Sequence, residues 1–152
     1  MNRIASFCVD HTKLEPGVYI SRIDGDIVTY DIRMRKPNVP PFLSNPTLHT
    51  FEHLFATFAR NSAFSDRIIY FGPMGCRTGF YFLVRDMTHE DALQLIKDIF
   101  AMIQNYTGEI PGNTAAECGN YLEHNLQDAK QEAEKFIAIL DKWDTSNLEY
   151  IK

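Results

Sequence analysis

Ser44-Asn45-Pro46-Thr47-Leu48-His49-Thr50-Phe51-Glu52-His53-Leu54-Phe55 is the stretch on which the reading of this chain turns. Ser44 or Asn45 can cap a helix and Pro46 suits its first turn. Leu48, Phe51, Leu54, Phe55 and Phe58 then recur at helical spacing. On such a helix His49 and His53 share one face, with Cβ atoms about 5–6 Å apart. Two imidazoles so placed can bind one metal ion without backbone movement. Glu52, three residues after His49, stands beside the same spot and can handle protons there without being a ligand. The order His-x-x-Glu-His is that of inverted zincins. The bland alternative, two surface or hydrogen-bonded core histidines with a glutamate between them, is not excluded by this pair alone.

Working outward, 152 residues are enough for one domain with a sizeable core. Hydrophobic residues at 45% and charged residues at 23% fit an ordinary soluble globular chain. A formal net charge of −5 argues against binding nucleic acid by phosphate neutralisation. No apolar run approaches the ~20 residues of a membrane helix. Met1-Asn2-Arg3-Ile4-Ala5 lacks a signal-peptide core, so a cytoplasmic location is expected. Three cysteines cannot all pair, and in a cytosolic chain metal binding or catalysis is the expected use.

Residues 3–9 read as a short extended arm, followed by a turn at Pro16-Gly17. Val18–Arg22 and Asp26–Arg33 read as strands joined at Asp24-Gly25, with Ile27, Thr29, Asp31 and Arg33 alternating against Val28, Tyr30, Ile32 and Met34. Pro37, Pro40 and Pro41 mark a loop leading to the histidine helix, which ends near Asn61. Arg67–Phe71 and Gly79–Arg85 are further strands around the Gly72-Pro73-Met74-Gly75-Cys76 turn. The second of these, Phe80 to Val84, is apolar throughout and is expected to be covered on both faces. Thr88 caps a helix to about Tyr106 with Glu90 and Asp91 in its first turn, and its Ala92, Leu95, Ile96, Ile99 and Ile103 form a core stripe. Thr107–Cys118 is a loop, and a last helix capped by Asn125 runs to about Asp141. The whole is read as a single α+β domain, residues 1–152, with an antiparallel sheet packed against helices.

Two imidazoles leave a divalent metal at least one ligand short, since catalytic sites commonly carry three protein ligands and a water. Cys118, in a loop just before Gly119, is the best third candidate, because thiolates bind zinc and ferrous iron strongly; a buried apolar thiol is the alternative. Cys76 sits in a glycine-bearing turn with Arg77 adjacent, a setting that suits either a proton-transfer group or a plain turn residue. Cys8 has no supporting partner. His89 is expected on the solvent side of its helix, and His124 is expected to hydrogen-bond a loop.

Taken together, these pieces resemble the S-ribosylhomocysteine lyase (LuxS) family along nearly the whole chain. The resemblance is carried by Ser6-Phe7 with Asp10-His11, by Asp31-Ile32-Arg33, by Pro37-Asn38, and by His49 through Leu54. It continues in Pro73-Met74-Gly75-Cys76-Arg77-Thr78-Gly79-Phe80-Tyr81 and in Cys118-Gly119-Asn120-Tyr121. It implies one divalent metal per chain held by His49, His53 and Cys118, with iron expected, zinc or cobalt as substitutes, and no organic cofactor. Glu52 and Cys76 would carry protons, while Ser6, His11 and Arg33 would hold substrate. It also implies a homodimer with sites at the subunit interface, each N-terminal arm completing the partner's pocket, and no nucleic-acid or membrane partner. The implied reaction cleaves S-ribosyl-L-homocysteine to L-homocysteine and 4,5-dihydroxy-2,3-pentanedione, the autoinducer-2 precursor of quorum sensing and a branch of the methionine cycle. Carbonyl shifts and a β-elimination would accomplish it, the metal serving as a Lewis acid.

Tyr70-Phe71-Gly72 departs from the Asp-Ile-Ser common among relatives, so the contact to the substrate's amino-acid end is expected to differ. Residues 34–48 depart as well. Two rivals make distinct predictions. An inverted-zincin peptidase would draw its third ligand from Glu109, Glu117 or Glu123 and keep its metal in Cys118→Ala. A structural metal module would tolerate loss of Glu52 or Cys76.

Overall fold

The computed structural model describes residues 1–151. Two hairpins build its single sheet. β1 (Gly17–Asp24) and β2 (Ile27–Arg33) join across Gly25-Asp26, where Gly25 takes a φ of +63° that suits a residue without Cβ. β3 (Ile68–Pro73) and β4 (Gly79–Arg85) flank the cysteine turn. The strand order is β1-β2-β4-β3, with every neighbouring pair antiparallel. Register places Val28 opposite Val84, Tyr30 opposite Phe82 and Ile32 opposite Phe80, so one face of the sheet is apolar and buried.

Three helices cover that face. α1 (Asn45–Arg60) starts where the Ser44 hydroxyl accepts the Thr47 N–H, with Pro46 in the first turn. α2 (His89–Gln104) is capped by Thr88 and α3 (Leu126–Leu140) by Asn125, each side chain accepting an N–H three residues on. The 3.6-residue period of each helix turns one apolar stripe inward. Phe55 of α1 stacks on Phe71 of β3 with centroids 3.9 Å apart, and Phe71 stacks in turn on Phe80. Phe100 of α2 meets Phe136 of α3 at 4.9 Å. Truncating one of these fully buried rings costs about 3–5 kcal/mol.

The elements match the sequence reading within a few residues, with three differences. The arm is not wholly extended: Ala5–Phe7 make a 3₁₀ turn. β4 is fully covered on one face only, because Tyr81 and Leu83 on the other are half-buried while Phe80, Phe82 and Val84 are buried. His89 is half-buried rather than solvated, its Nδ1 lying 2.6 Å from the hydroxyl of buried Tyr30. Residues 144–150 return to the sheet. The Trp143 indole donates to the Val18 carbonyl at 2.7 Å, and Leu148 is buried, with its carbonyl accepting the Ile20 N–H. Among the described residues no helix is long and apolar enough to cross a membrane.

Candidate metal centre and proton-transfer groups

α1 carries His49 and His53 one turn apart, and their Nδ1 atoms each face a backbone carbonyl, Glu123 at 2.9 Å and Pro111 at 2.8 Å. A carbonyl oxygen can only accept, so both Nδ1 atoms carry hydrogen and both Nε2 lone pairs are free. Those lone pairs converge on Cys118, whose Sγ lies 3.3 Å from His49 Nε2 and 3.7 Å from His53 Nε2. A tetrahedral ion with M–N of ~2.0–2.1 Å and M–S of ~2.3 Å has N···S edges of about 3.5 Å, so the donor set fits a zinc- or ferrous-type ion. The Asn120 N–H points at the same sulfur from 3.5 Å.

The loop before Cys118 is shaped for this. Gly112 has a φ of +74°, and a Cβ there would stand 3.2 Å from His53 Nδ1. Glycine therefore lets the Pro111 carbonyl reach the imidazole, orienting a ligand from outside the donor set.

His124 is the residue that the sequence reading undervalued. Its ring does not hydrogen-bond a loop as expected: its Nδ1 lies 3.1 Å from the hydroxyl of Thr50, a buried residue of α1. The ring also stacks on His49 with centroids 4.0 Å apart, and its Nε2 is buried with no partner among the described residues. Candidate ligand atoms of His49, His53, Cys118 and His124 all lie within 4.8 Å of one another. Burial first, and then the neighbouring His49 and His53, push the pKa of His124 down to about 4, so it is neutral at pH 7. The only advance signal was its place six residues after Cys118. Glu109, Glu117 and Glu123, which a peptidase would need, supply no carboxylate to this cluster among the described residues.

Glu52 is half-buried on the same helix. With His53, Arg60, Tyr70 and Gly112 it lines a cavity of about 330 Å³. Cys76 lies elsewhere, in the exposed β3–β4 turn. Its Sγ is 3.1 Å from the Thr78 hydroxyl, and Arg33 Nη1 reaches both, at 2.8 Å to Thr78 Oγ1 and 4.0 Å to Sγ. The cation beside Cys76 is thus Arg33, whereas the adjacent Arg77 turns away toward the Leu43 carbonyl and the Phe42 ring. His11, Arg33, Asn38, Cys76 and Thr78 line a cavity of about 300 Å³ that shares no residue with the Glu52 cavity.

Ser6 belongs to neither cluster. It lines a groove with Ala5, Ser21, Thr29, Tyr70 and Tyr81 on the outer face of the sheet. Tyr70 lines both this groove and the Glu52 cavity, and its ring occupies the space that a Cβ on Gly72 would need. Tyr70 and Gly72, the outer two residues of the Tyr70-Phe71-Gly72 segment, are therefore sterically coupled.

Comparison with known proteins bears on this arrangement. Residues 4–147 match the family model described as S-Ribosylhomocysteinase (LuxS). The chain is 46% identical to the S-ribosylhomocysteine lyase of Borreliella burgdorferi and 47% identical to that of Clostridium acetobutylicum, with 99% of each chain covered. It is 48% identical to the S-ribosylhomocysteine lyase of Porphyromonas gingivalis at the same coverage.

Proposed function

The chain belongs to the S-ribosylhomocysteinase (LuxS) family, and from that premise we propose that it is a metal-dependent carbon–sulfur lyase. It cleaves S-ribosyl-L-homocysteine to L-homocysteine and 4,5-dihydroxy-2,3-pentanedione, the autoinducer-2 precursor. The observation that carries this reading is the convergence of His49 Nε2, His53 Nε2 and Cys118 Sγ beside Glu52. A divalent ion held there, iron with zinc or cobalt as substitutes, supplies a Lewis acid for the ribose carbonyl.

The protein's own groups move the protons. Glu52, partly withdrawn from water beside His53, takes and returns protons at the ribose carbons from one side. Cys76 does so from the other, with Arg33 and Thr78 within reach of its sulfur. Each exchange walks the carbonyl one carbon along the chain. When it stands β to the thioether carbon, a further proton abstraction expels homocysteine as a thiol. No electrons enter or leave. Ser6, His11 and Arg33 hold the substrate, and the cavity bearing Arg60 and Tyr70 takes the end remote from the metal.

The functional unit of this proposal is a homodimer. Glu52 and Cys76 line cavities with no residue in common, and Ile4, Phe7 and Tyr70 leave apolar surface uncovered beside the Ser6 groove. A twofold partner brings the Cys76 cluster of one protomer to the Glu52 cavity of the other, with the arm closing the joint. Three free cysteines suit a reducing cytoplasm.

The test is free-thiol release from S-ribosylhomocysteine by protein purified without oxygen, with metal measured on the same sample. Turnover at about one metal per chain is expected. Bound metal without thiol release would overturn the lyase reading.

A further inference from the structure

Behind Cys76 lies a buried polar chain that ends on the C-terminal tail, beyond the residues matched by the family model. Asp31 and Arg33 project from β2 on the sheet face away from the helices, 1% and 3% exposed respectively. They form an ion pair at 2.6 Å through one oxygen only: Asp31 Oδ2 accepts Arg33 Nη2. The same Oδ2 accepts the Tyr150 hydroxyl, also at 2.6 Å. Asp31 Oδ1 and Arg33 Nε have no partner among the described residues. The pair is therefore not the bidentate fork that arginine and carboxylate ordinarily prefer. Arg33 Nη1, left outside the pair, is the atom that faces Thr78 Oγ1 and Cys76 Sγ.

Tyr150 is set firmly in this role. Its ring stacks on Tyr19 with centroids 5.0 Å apart and planes 19° apart, while Leu148 and Trp143 tie the preceding tail to β1. Burial and the adjacent Asp31 hold the phenol well above its ordinary titration range, so it remains a donor. Burial works most strongly against the Arg33 charge, but Asp31, Cys76 and Tyr150 together outweigh it and hold the guanidinium above its ordinary range.

We propose that Tyr150 is a positioning residue, whose hydroxyl shares Asp31 Oδ2 and so keeps the Arg33 guanidinium turned toward Cys76. Without that hydroxyl the carboxylate rotates to take Arg33 through both oxygens, and Nη1 withdraws from the sulfur. A guanidinium 4.0 Å from Sγ stabilises negative charge that develops there and so bears on how readily that sulfur attacks electrophiles. The tail thus sets the readiness of Cys76 from two residues away, through Asp31 and then Arg33. This deepens the lyase reading, on which the role of Cys76 in turnover rests, but the contacts themselves do not depend on it.

The test compares wild type with Tyr150→Phe, which retains the ring stack on Tyr19 and removes only the hydroxyl. Iodoacetamide capture of Cys76 in the metal-loaded protein is followed by peptide-resolved mass spectrometry at neutral pH. The expected result is capture slowed at least about threefold, with a melting temperature within about 2 °C of wild type. A Cys76 capture rate unchanged in Tyr150→Phe overturns the proposal, whether or not the melting temperature falls, because the tail would then be structural only. Capture does not require turnover, so a failure of thiol release by the wild type would count against the lyase reading and leave this result standing.

Discussion

Glu52, which shares a cavity with His53, and His124, whose ring packs on His49 and His53, are expected to behave in opposite ways. Glu52 is a neighbour of the donor atoms without being one of them, so Glu52→Gln should retain metal by elemental analysis. Its release of homocysteine should fall by about 10²–10⁴-fold, the range for removing a positioned acid/base; turnover near the wild-type rate would remove Glu52 from the mechanism. His124 shows itself through pH. Its folded pKa of about 4 lies below the ordinary 6.5, so between those values the unfolded chain binds more protons than the folded one. The stability it contributes is complete above pH 6.5 and is lost progressively as pH falls toward about 4. Thermal melts of metal-free protein should show that slope, and His124→Gln should flatten it. An identical slope in the variant would assign the acid sensitivity to other groups.

Among the elements, α1 supplies two donors with the regularity of a helix, while the loop that meets it supplies the third donor and the carbonyl of Pro111. A helix holds its side chains by its own hydrogen bonds, but the loop depends on local backbone choices. Gly112 is the most exposed of those choices to mutation. At φ +74°, with His53 Nδ1 3.2 Å from any added Cβ, Gly112→Ala both strains the backbone and pushes the Pro111 carbonyl off the imidazole. Metal affinity measured by competition with a chelator should drop by about 10–100-fold, the usual cost of losing a group that orients a ligand. A variant that binds metal as tightly as wild type would show that the Pro111 contact orients nothing.

At the level of the molecule, the separation of the Glu52 and Cys76 cavities makes a prediction that a single-chain site cannot reproduce. If the proposed homodimer holds, Glu52→Gln and Cys76→Ser variants should each be inactive alone. After mixing and subunit exchange, half the dimers are mixed, and each of those holds one site with both groups intact. Activity should therefore return to about a quarter of wild type. No recovery, with exchange confirmed by native mass spectrometry, would place both groups in one chain's site.

The fold and the core of the candidate metal site were legible in the chain because they are written in local periods. The helical spacing of Leu48, Phe51, Leu54 and Phe55 and the cap at Ser44 place His49 and His53 on one face. The alternation from Ile27 to Met34 turns one side of β2 to the core. Cys118 could be offered as a ligand by chemistry, but its meeting with the two imidazoles depends on how a long loop closes, which no local pattern encodes. His124 escaped for the same reason: six residues from Cys118, its ring reaches the cluster only because α3 docks where Thr50 and His49 receive it. The substitution of Arg33 for Arg77 as the cation at Cys76, and the arrival of Tyr150 at Asp31, join residues 43 and 119 positions apart. Local propensity decides which segments are helices and strands; only the packing of those segments decides which distant polar groups share a buried charge.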